Sequence, residues 1–443
     1  MIQYAFRRTR RALRQLAGLN YADEEPLNEG QRSCLKNMYL NGIFANFSDG
    51  SAANFTNLFM VALGATNTQI GFMSTVVQTL AAIAPLPGAY LAERTRAYRA
   101  SILYPGLIAR VGYLCLALLP FFQIGQPIVA GAILIFAIRS LLTSSVGAQW
   151  TAAMGVMVPI RMRPAYFSAR NFAGGVAVIL GTIIAGQVIT TFGFPHGYQL
   201  IYLMAAVVGF YASYIYANVP RSAYGTLESR PRDKTRPSTK ALFAEVLSQK
   251  HFLRYMLCAG ALTFTVNLSS PFIGLYQIRV LGFSAATIGL MASSELAMNI
   301  IMQRVYASFV IPRLGDFRVM SILRFGTAFV PVFWLFVTGP IGGILASFFS
   351  GAMWSGHDLA NFNVQLELVP EKNRANMIAV NTVVTSLCAA LGPAIGGILT
   401  DSIGYHPVFI ISVVLRLVAA LMLVFLMREW SVRKATSPVV LES

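Results

Sequence analysis

The sequence predicts an all-α membrane protein with twelve transmembrane helices in two pseudo-symmetric six-helix bundles. Three observations carry that reading. The 443-residue chain is 56% hydrophobic and only 12% charged, where soluble domains carry about 25% charged residues. It offers about a dozen stretches near the roughly 20 apolar residues that a spanning helix needs. Finally, the segment from Leu63 to Ser74 recurs 218 residues later as Leu281 to Ala292, with five of twelve positions identical. A second echo pairs Val158, Pro159 and Arg163 with Val369, Pro370 and Arg374, 211 residues on. Two echoes at nearly one offset, close to half the chain, indicate a duplicated unit.

Hydropathy and breakers place the spans in order. The first half gives 38–63, 69–91, 101–122, 128–157, 171–192 and 199–218; the second gives 253–278, 286–311, 320–338, 341–368, 376–400 and 407–427. Gly64-Ala65-Thr66-Asn67 ends the first span and opens the second, Gly125-Gln126-Pro127 divides the third from the fourth, and Gly339-Pro340 divides the ninth from the tenth. The expected organisation is a basic N-terminal segment (1–37), a first bundle (38–218), a linker (219–251), a second bundle (252–428) and a tail (429–443). The linker is polar and rich in Pro, Ser and basic residues.

The net charge of +17 is a matter of topology. Most of the 34 Lys and Arg fall on segments that share one side, from Arg7–Arg14 through Arg94–Arg99 to Arg230–Lys240. Arg279 stands on the other. This asymmetry predicts both termini in the cytoplasm, in the inner or plasma membrane, and argues against nucleic-acid recognition. The start has no apolar signal core, so no cleaved leader is expected. Residues 2–19 read equally as a basic interfacial helix or a disordered tail. Cys34, Cys115, Cys258 and Cys388 show no pairing or metal spacing and read as packing residues. No cofactor or metal is expected.

Between spans two and three, Gly88-Ala89-Tyr90-Leu91-Ala92-Glu93-Arg94-Thr95-Arg96-Ala97-Tyr98-Arg99 resembles the signature loop of the major facilitator superfamily, with Glu93 at its acidic position and Arg94 at the basic one after it. Ala89 and Arg96 replace two of its glycines. The second half carries Pro312-Arg313-Leu314-Gly315-Asp316-Phe317-Arg318, again acidic then basic. Arg139 in span four is similar to the family's buried arginine. The resemblance covers essentially the whole chain. It implies two six-helix bundles, a central cavity, alternating access by rocking, and action as a monomer. By the same token Glu93, Arg94, Asp316 and Arg318 become candidate gates, where an acid and an arginine at a helix end bridge neighbours in one state only. Their alternative role is to solvate helix ends.

Ionisable residues at bilayer depth are costly and mark a pathway or a pair. Asp49 lies in span one among Asn46, Asn54 and Asn57, and Asn46, Asp49 and Asn57 share one helical face. Gly50 is positioned to loosen the helix there. The 218-residue offset carries Asp49 to Asn267. Arg139 sits at comparable depth, so an Asp49–Arg139 pair that forms and breaks would bind and release a proton; a static ion pair is the alternative. Arg110 and Arg416 read as structural. Glu295, with Asn299 one turn on, reads either as a cavity acid or as the partner of Arg324 or Arg304. Trp354, His357 and Asp358 in span ten, with Gln149 and Trp150 in span four, complete the substrate-facing candidates. Side chains adjacent in a helix point about 100° apart, which argues against a His357–Asp358 dyad. Gly392-Pro393-Ala394-Ile395-Gly396-Gly397 and Gly181–Gly186 read as small residues for close helix packing.

Duplicated halves in so apolar a chain point to a transporter. The expected function is secondary active transport of a small organic solute by alternating access, coupled to protons through Asp49. A drug or lipid-like exporter of the same fold, or a non-transporting sensor or passive facilitator, is the alternative. An enzyme is not expected: there is no nucleotide loop, nucleophile elbow or metal-ligand cluster.

Overall fold

The computed structural model describes residues 29–122, 125–224, 248–369 and 374–427. The basic 2–19 stretch, most of the 219–251 linker, the 429–443 tail and the Arg374 side chain lie outside the described residues. All regular structure among the described residues is helical.

The first sequence half runs α1 (Glu29–Ala53), α2 (Thr56–Ala62), α3 (Asn67–Ile83), α4 (Pro85–Thr95), α5 (Tyr98–Leu118), α6 (Gly125–Ser145), α7 (Gly147–Met157), α8 (Arg163–Phe192) and α9 (His196–Ala217). The second runs α10 (Lys250–Arg279), α11 (Ala285–Val305), α12 (Ile311–Leu314), α13 (Asp316–Ala328), α14 (Val330–Leu335), α15 (Pro340–Leu368), α16 (Arg374–Ile403) and α17 (Tyr405–Leu426). Ten helical stretches among the described residues are long and apolar enough to cross a membrane. The two expected spans that are less apolar are α1–α2 and α15. These carry Asp49 and the His357–Asp358 pair.

Several spans are interrupted. The first begins at Glu29, ahead of the expected start, and breaks at Asn54-Phe55. Gly50, the expected weak point, stays helical because the backbone of Val178 packs against it. The break is held open from α8: Asn54 Nδ2 donates to Thr182 Oγ1 at 2.9 Å, and the Thr182 hydroxyl donates to the Gly50 carbonyl at 3.0 Å. Span eight contains a π turn at Tyr306–Val310, and span nine divides just before Pro331.

The chain forms two compact units. One holds the described residues up to Phe59 with those from Ile83 to 224; the other holds Met60–Ala82 with the described residues from 248 onward. Helix α3 therefore packs with the second half of the sequence. In the first unit α1 lies against α8 and α9. A Cβ on Gly181 would stand 2.6 Å from the Phe47 carbonyl, so the glycine is what permits that approach. Cys34, Leu35 and Met38 pack with Ala153, Tyr216 and Tyr224 in its apolar cluster. In the second unit α10 packs on α16 and α17, and Cys258 joins Phe252, Tyr255 and Leu423 in the core. The Gly392–Gly397 run does the packing expected of it. Gly392 meets Phe264 and Asn267, Gly396 meets Leu268 and Phe272, and Gly397 meets Asn67 and Thr68 of α3.

The repeated segment has a structural meaning. In the first copy the Thr66 hydroxyl accepts from the Gln69 amide at 3.1 Å, while Gln69 Oε1 accepts from the Thr66 amide at 2.9 Å. In the second, Ser284 accepts from the Thr287 amide at 3.2 Å. Thr66 and Ser284 are 218 residues apart. What the duplication preserved is a helix N-cap.

Candidate functional sites

In the first unit Asp49 is the centre of a charged cluster. Arg110 Nη1 donates to Asp49 Oδ1 at 2.6 Å, and the Tyr113 hydroxyl donates to the same oxygen at 3.0 Å. Arg139 Nη2 stands further off, at 3.9 Å. Its guanidinium lies 3.4 Å over the Tyr113 ring, and its Nε donates to the Ala109 carbonyl at 2.9 Å. The expected Asp49–Arg139 pair is thus a triad whose nearer cation is Arg110, read from the sequence as merely structural. Arg110 and Tyr113 are one turn apart on α5, so both face α1. The Asp49 side chain is 49% exposed, against 11% for Arg110 and 13% for Arg139. The acid is half-exposed and its counter-charges are largely enclosed.

The other first-unit candidates do not join this cluster. Asn46 Nδ2 donates to the Gly42 carbonyl of its own helix at 2.7 Å, Asn54 bridges the helix break, and Asn57 is half-buried at the start of α2. Gln149 is buried with its Oε1 unpartnered. Arg170 stacks 4.6 Å over the Trp150 ring. Glu93 and Arg94 close α4, whose last turn is capped by the left-handed Arg96.

In the second unit, Glu295 pairs with neither Arg324 nor Arg304; the Ser350 hydroxyl donates to it at 2.6 Å. Gly351 of α15 sits against the backbone at Glu295 and Asn299, which brings the two helices close enough for that bond. Asn267 Oδ1 accepts from Gln78 Nε2 of α3 at 3.3 Å, and its Nδ2 donates to the Thr263 carbonyl at 2.9 Å. Asp316 opens α13 and accepts from Asn363 Nδ2 at 2.7 Å; Arg318, in the same turn, is exposed.

His357 and Asp358 do meet, contrary to the sequence expectation, with Nδ1 3.1 Å from Oδ1. The side chains still diverge, His357 being 5% and Asp358 65% exposed, but the carboxylate reaches back across the angle. Trp354 packs edge-on against the His357 ring at 5.4 Å. His357 also lines a cavity of about 220 Å³ with Tyr255, Thr263, Arg324, Asn361 and Asn381.

The sequence reading did not single out the α3 terminus as a site. Asp401 accepts from the Thr68 amide at 2.8 Å, the Thr68 hydroxyl at 2.6 Å and the Asn67 amide at 3.3 Å. Arg279 donates to Asn67 Oδ1 at 2.8 Å and to the Ala65 carbonyl at 2.6 Å. The signal was present: Asp401 and Arg279 are charges at span ends, and Asn67 and Thr68 lie in the repeat.

A sequence model of the Major Facilitator Superfamily matches residues 38–364 and 341–441. No curated protein matches the chain. Among solved structures, the nucleoside transporter NupG superposes with a TM-score of 0.69 at 14% identity, covering 89% of this chain and 99% of that one. A POT family transporter in complex with 5-aminolevulinic acid gives 0.66 at 14% identity, covering 91% and 96%. A bacterial homologue of the human lysosomal transporter Spinster, inward-facing and unoccupied, gives 0.67 at 12%, covering 93% and 100%. At such identities the likeness shows a shared fold.

Proposed function

Because the chain belongs to the major facilitator superfamily, we propose that it is a secondary active transporter, moving a small organic solute across the membrane by alternating access and coupled to protons through Asp49. One observation supports the coupling. A half-exposed carboxylate holds two largely enclosed arginines beside it, at 2.6 and 3.9 Å. Protonation of Asp49 removes the only negative charge in that triad. Arg110 and Arg139 are then left close together in a poorly solvated place, where like charges repel strongly. Proton binding thereby favours a different arrangement of α1, α5 and α6, and a change of arrangement alters the tendency to hold the proton. That reciprocity is what coupling requires.

Within this reading Glu93, Arg94, Asp316 and Arg318 act as helix-end gates. The Asp316–Asn363 bond supports the part played by α13. The chain resides in the inner or plasma membrane with both ends in the cytoplasm, as its basic asymmetry supports.

The test uses proteoliposomes with a pH-sensitive dye in the lumen and a panel of organic acids, amino acids, nucleosides and cationic drugs. Wild-type protein is expected to move protons with one solute class. In Asp49→Asn, proton movement is lost while exchange of labelled for unlabelled solute persists. Proton flux unchanged in Asp49→Asn would exclude Asp49 as the coupling group. Solute flux indifferent to pH in wild type would identify a passive facilitator.

A further inference from the structure

The cavity of the second unit is bounded by α10, α13, α15 and α16, and three buried polar atoms on its lining residues have no hydrogen-bond partner: Arg324 Nε, His357 Nε2 and Asn381 Oδ1. Arg324 is 1% exposed, His357 4% and Asn381 7%. Unsatisfied buried polar atoms are individually rare. All three belong to residues that line this one cavity.

Arg416 provides the contrast within the same unit. It too is 1% exposed, but its guanidinium donates to Thr327 O at 3.0 Å, Val266 O at 3.2 Å, Ser269 Oγ at 3.0 Å and Ser412 Oγ at 3.2 Å. Arg324 reaches only the Cys258 carbonyl, at 3.4 Å, and has no carboxylate partner among the described residues. A buried, weakly bonded guanidinium is costly. Its planar fork matches the paired oxygens of a carboxylate.

The remaining atoms narrow the occupant. Asn381 Oδ1 accepts only, so it calls for a donor on the ligand. His357 Nδ1 is taken by Asp358, which leaves Nε2 free, an acceptor when the ring is neutral. Asn361 is fixed by the Tyr255 hydroxyl, which donates to its Oδ1 at 2.9 Å, so its amide nitrogen remains to donate. At about 220 Å³ the space falls below the roughly 300–1,000 Å³ of drug-sized sites.

We propose that this cavity binds a small hydroxy or amino acid, its carboxylate on Arg324 and its hydroxyl or ammonium on Asn381 and His357. The site lies wholly within the second unit and does not depend on the Asp49 reading.

The experiment is calorimetric titration of the purified full-length protein with L-lactate and L-serine, and with glycerol as the uncharged control. Lactate or serine is expected to bind, and glycerol is not. Arg324→Gln weakens that binding at least tenfold, as loss of one charge-assisted contact does. Asn381→Leu removes an orphan acceptor at similar volume. It is expected to weaken binding about tenfold while the empty protein melts no lower than wild type. If Arg324→Gln fails to fold, Asn381→Leu and His357→Gln decide. The proposal is overturned if neither acid binds more tightly than about 10 mM, if glycerol binds as well, or if these substitutions leave affinity unchanged. Because Asp49→Asn should bind like wild type here, failure of this site and failure of the coupling model remain distinguishable.

Discussion

Asp49 shows how much a single position depends on its neighbours in three dimensions. Replacing it by Asn leaves Arg110 and Arg139 without a counter-ion. Removing one partner of a fully buried pair costs ~3–5 kcal/mol; with Asp49 49% exposed, roughly 1–2 kcal/mol is expected. The Asp49→Asn, Arg110→Gln double variant should recover part of that loss, whereas Asp49→Asn with Arg139→Gln recovers less, since Arg110 is nearer by over an ångström. Thermal melts of the three variants and wild type check the ordering, and equal recovery in both doubles would place the two arginines on the same footing. The acid was legible in the sequence because charge at bilayer depth is scarce in this chain. Its partner was not. Arg110 and Arg139 are equally visible as in-span cations, and choosing between them requires the rotation of α5 and α6 about their axes, which no local pattern encodes. The same limitation hid the Glu295–Ser350 bond and the grouping of Arg324, His357 and Asn381, residues drawn from three helices, of which Asn381 had no sequence signal of its own.

At the scale of elements, the duplicated caps give a sharper test than the spans themselves. Loss of an N-cap costs ~0.5–2 kcal/mol, so Ser284→Ala should destabilise α11 by about 1 kcal/mol. Thr66→Ala should cost less, because Asp401 also accepts from the Thr68 and Asn67 amides at the same helix end. Introducing Asp401→Ala should then make Thr66→Ala as costly as Ser284→Ala. A Thr66→Ala cost that stays the same in both backgrounds would mean that the two caps do not substitute for each other. Close packing makes a further demand: Gly181→Ala forces a methyl toward the Phe47 carbonyl, 2.6 Å from the ideal Cβ position, and is expected to lose ~1–3 kcal/mol in the same melts. The spans were readable because twenty apolar residues leave few alternatives in a bilayer. The break at Asn54-Phe55 was not, since it is made by Thr182 from another helix and Gly50 was the better local candidate. Nor does sequence order reveal that α3 packs with the second half, an approach made where Gly71 of α3 and Gly397, far along the chain, let the two backbones come close.

For the whole molecule, the basic asymmetry makes a prediction about sidedness. Cations flanking a span are retained on the cytoplasmic side, and the connection from α4 to α5 carries Arg94, Arg96 and Arg99. Arg279, before the α10 to α11 connection, is the exception expected on the opposite side. The structure accounts for its presence, since it is engaged by Asn67 and the Ala65 carbonyl at 2.8 and 2.6 Å and serves the fold there. Thr95→Cys and Ser284→Cys therefore report opposite faces. On intact cells a membrane-impermeant maleimide should modify Ser284→Cys above the background of the native cysteines. Thr95→Cys should react only after permeabilisation. The reverse pattern would invert the molecule in the membrane, and with it the direction of the proton uptake proposed for Asp49. Reaction of both on intact cells would show that the two connections lie on one face, which an odd number of spans between them forbids only if each of α5 to α10 crosses as expected. The counted spans are α5, α6–α7, α8, α9 and α10, five in all, so opposite labelling is the outcome the twelve-helix topology requires.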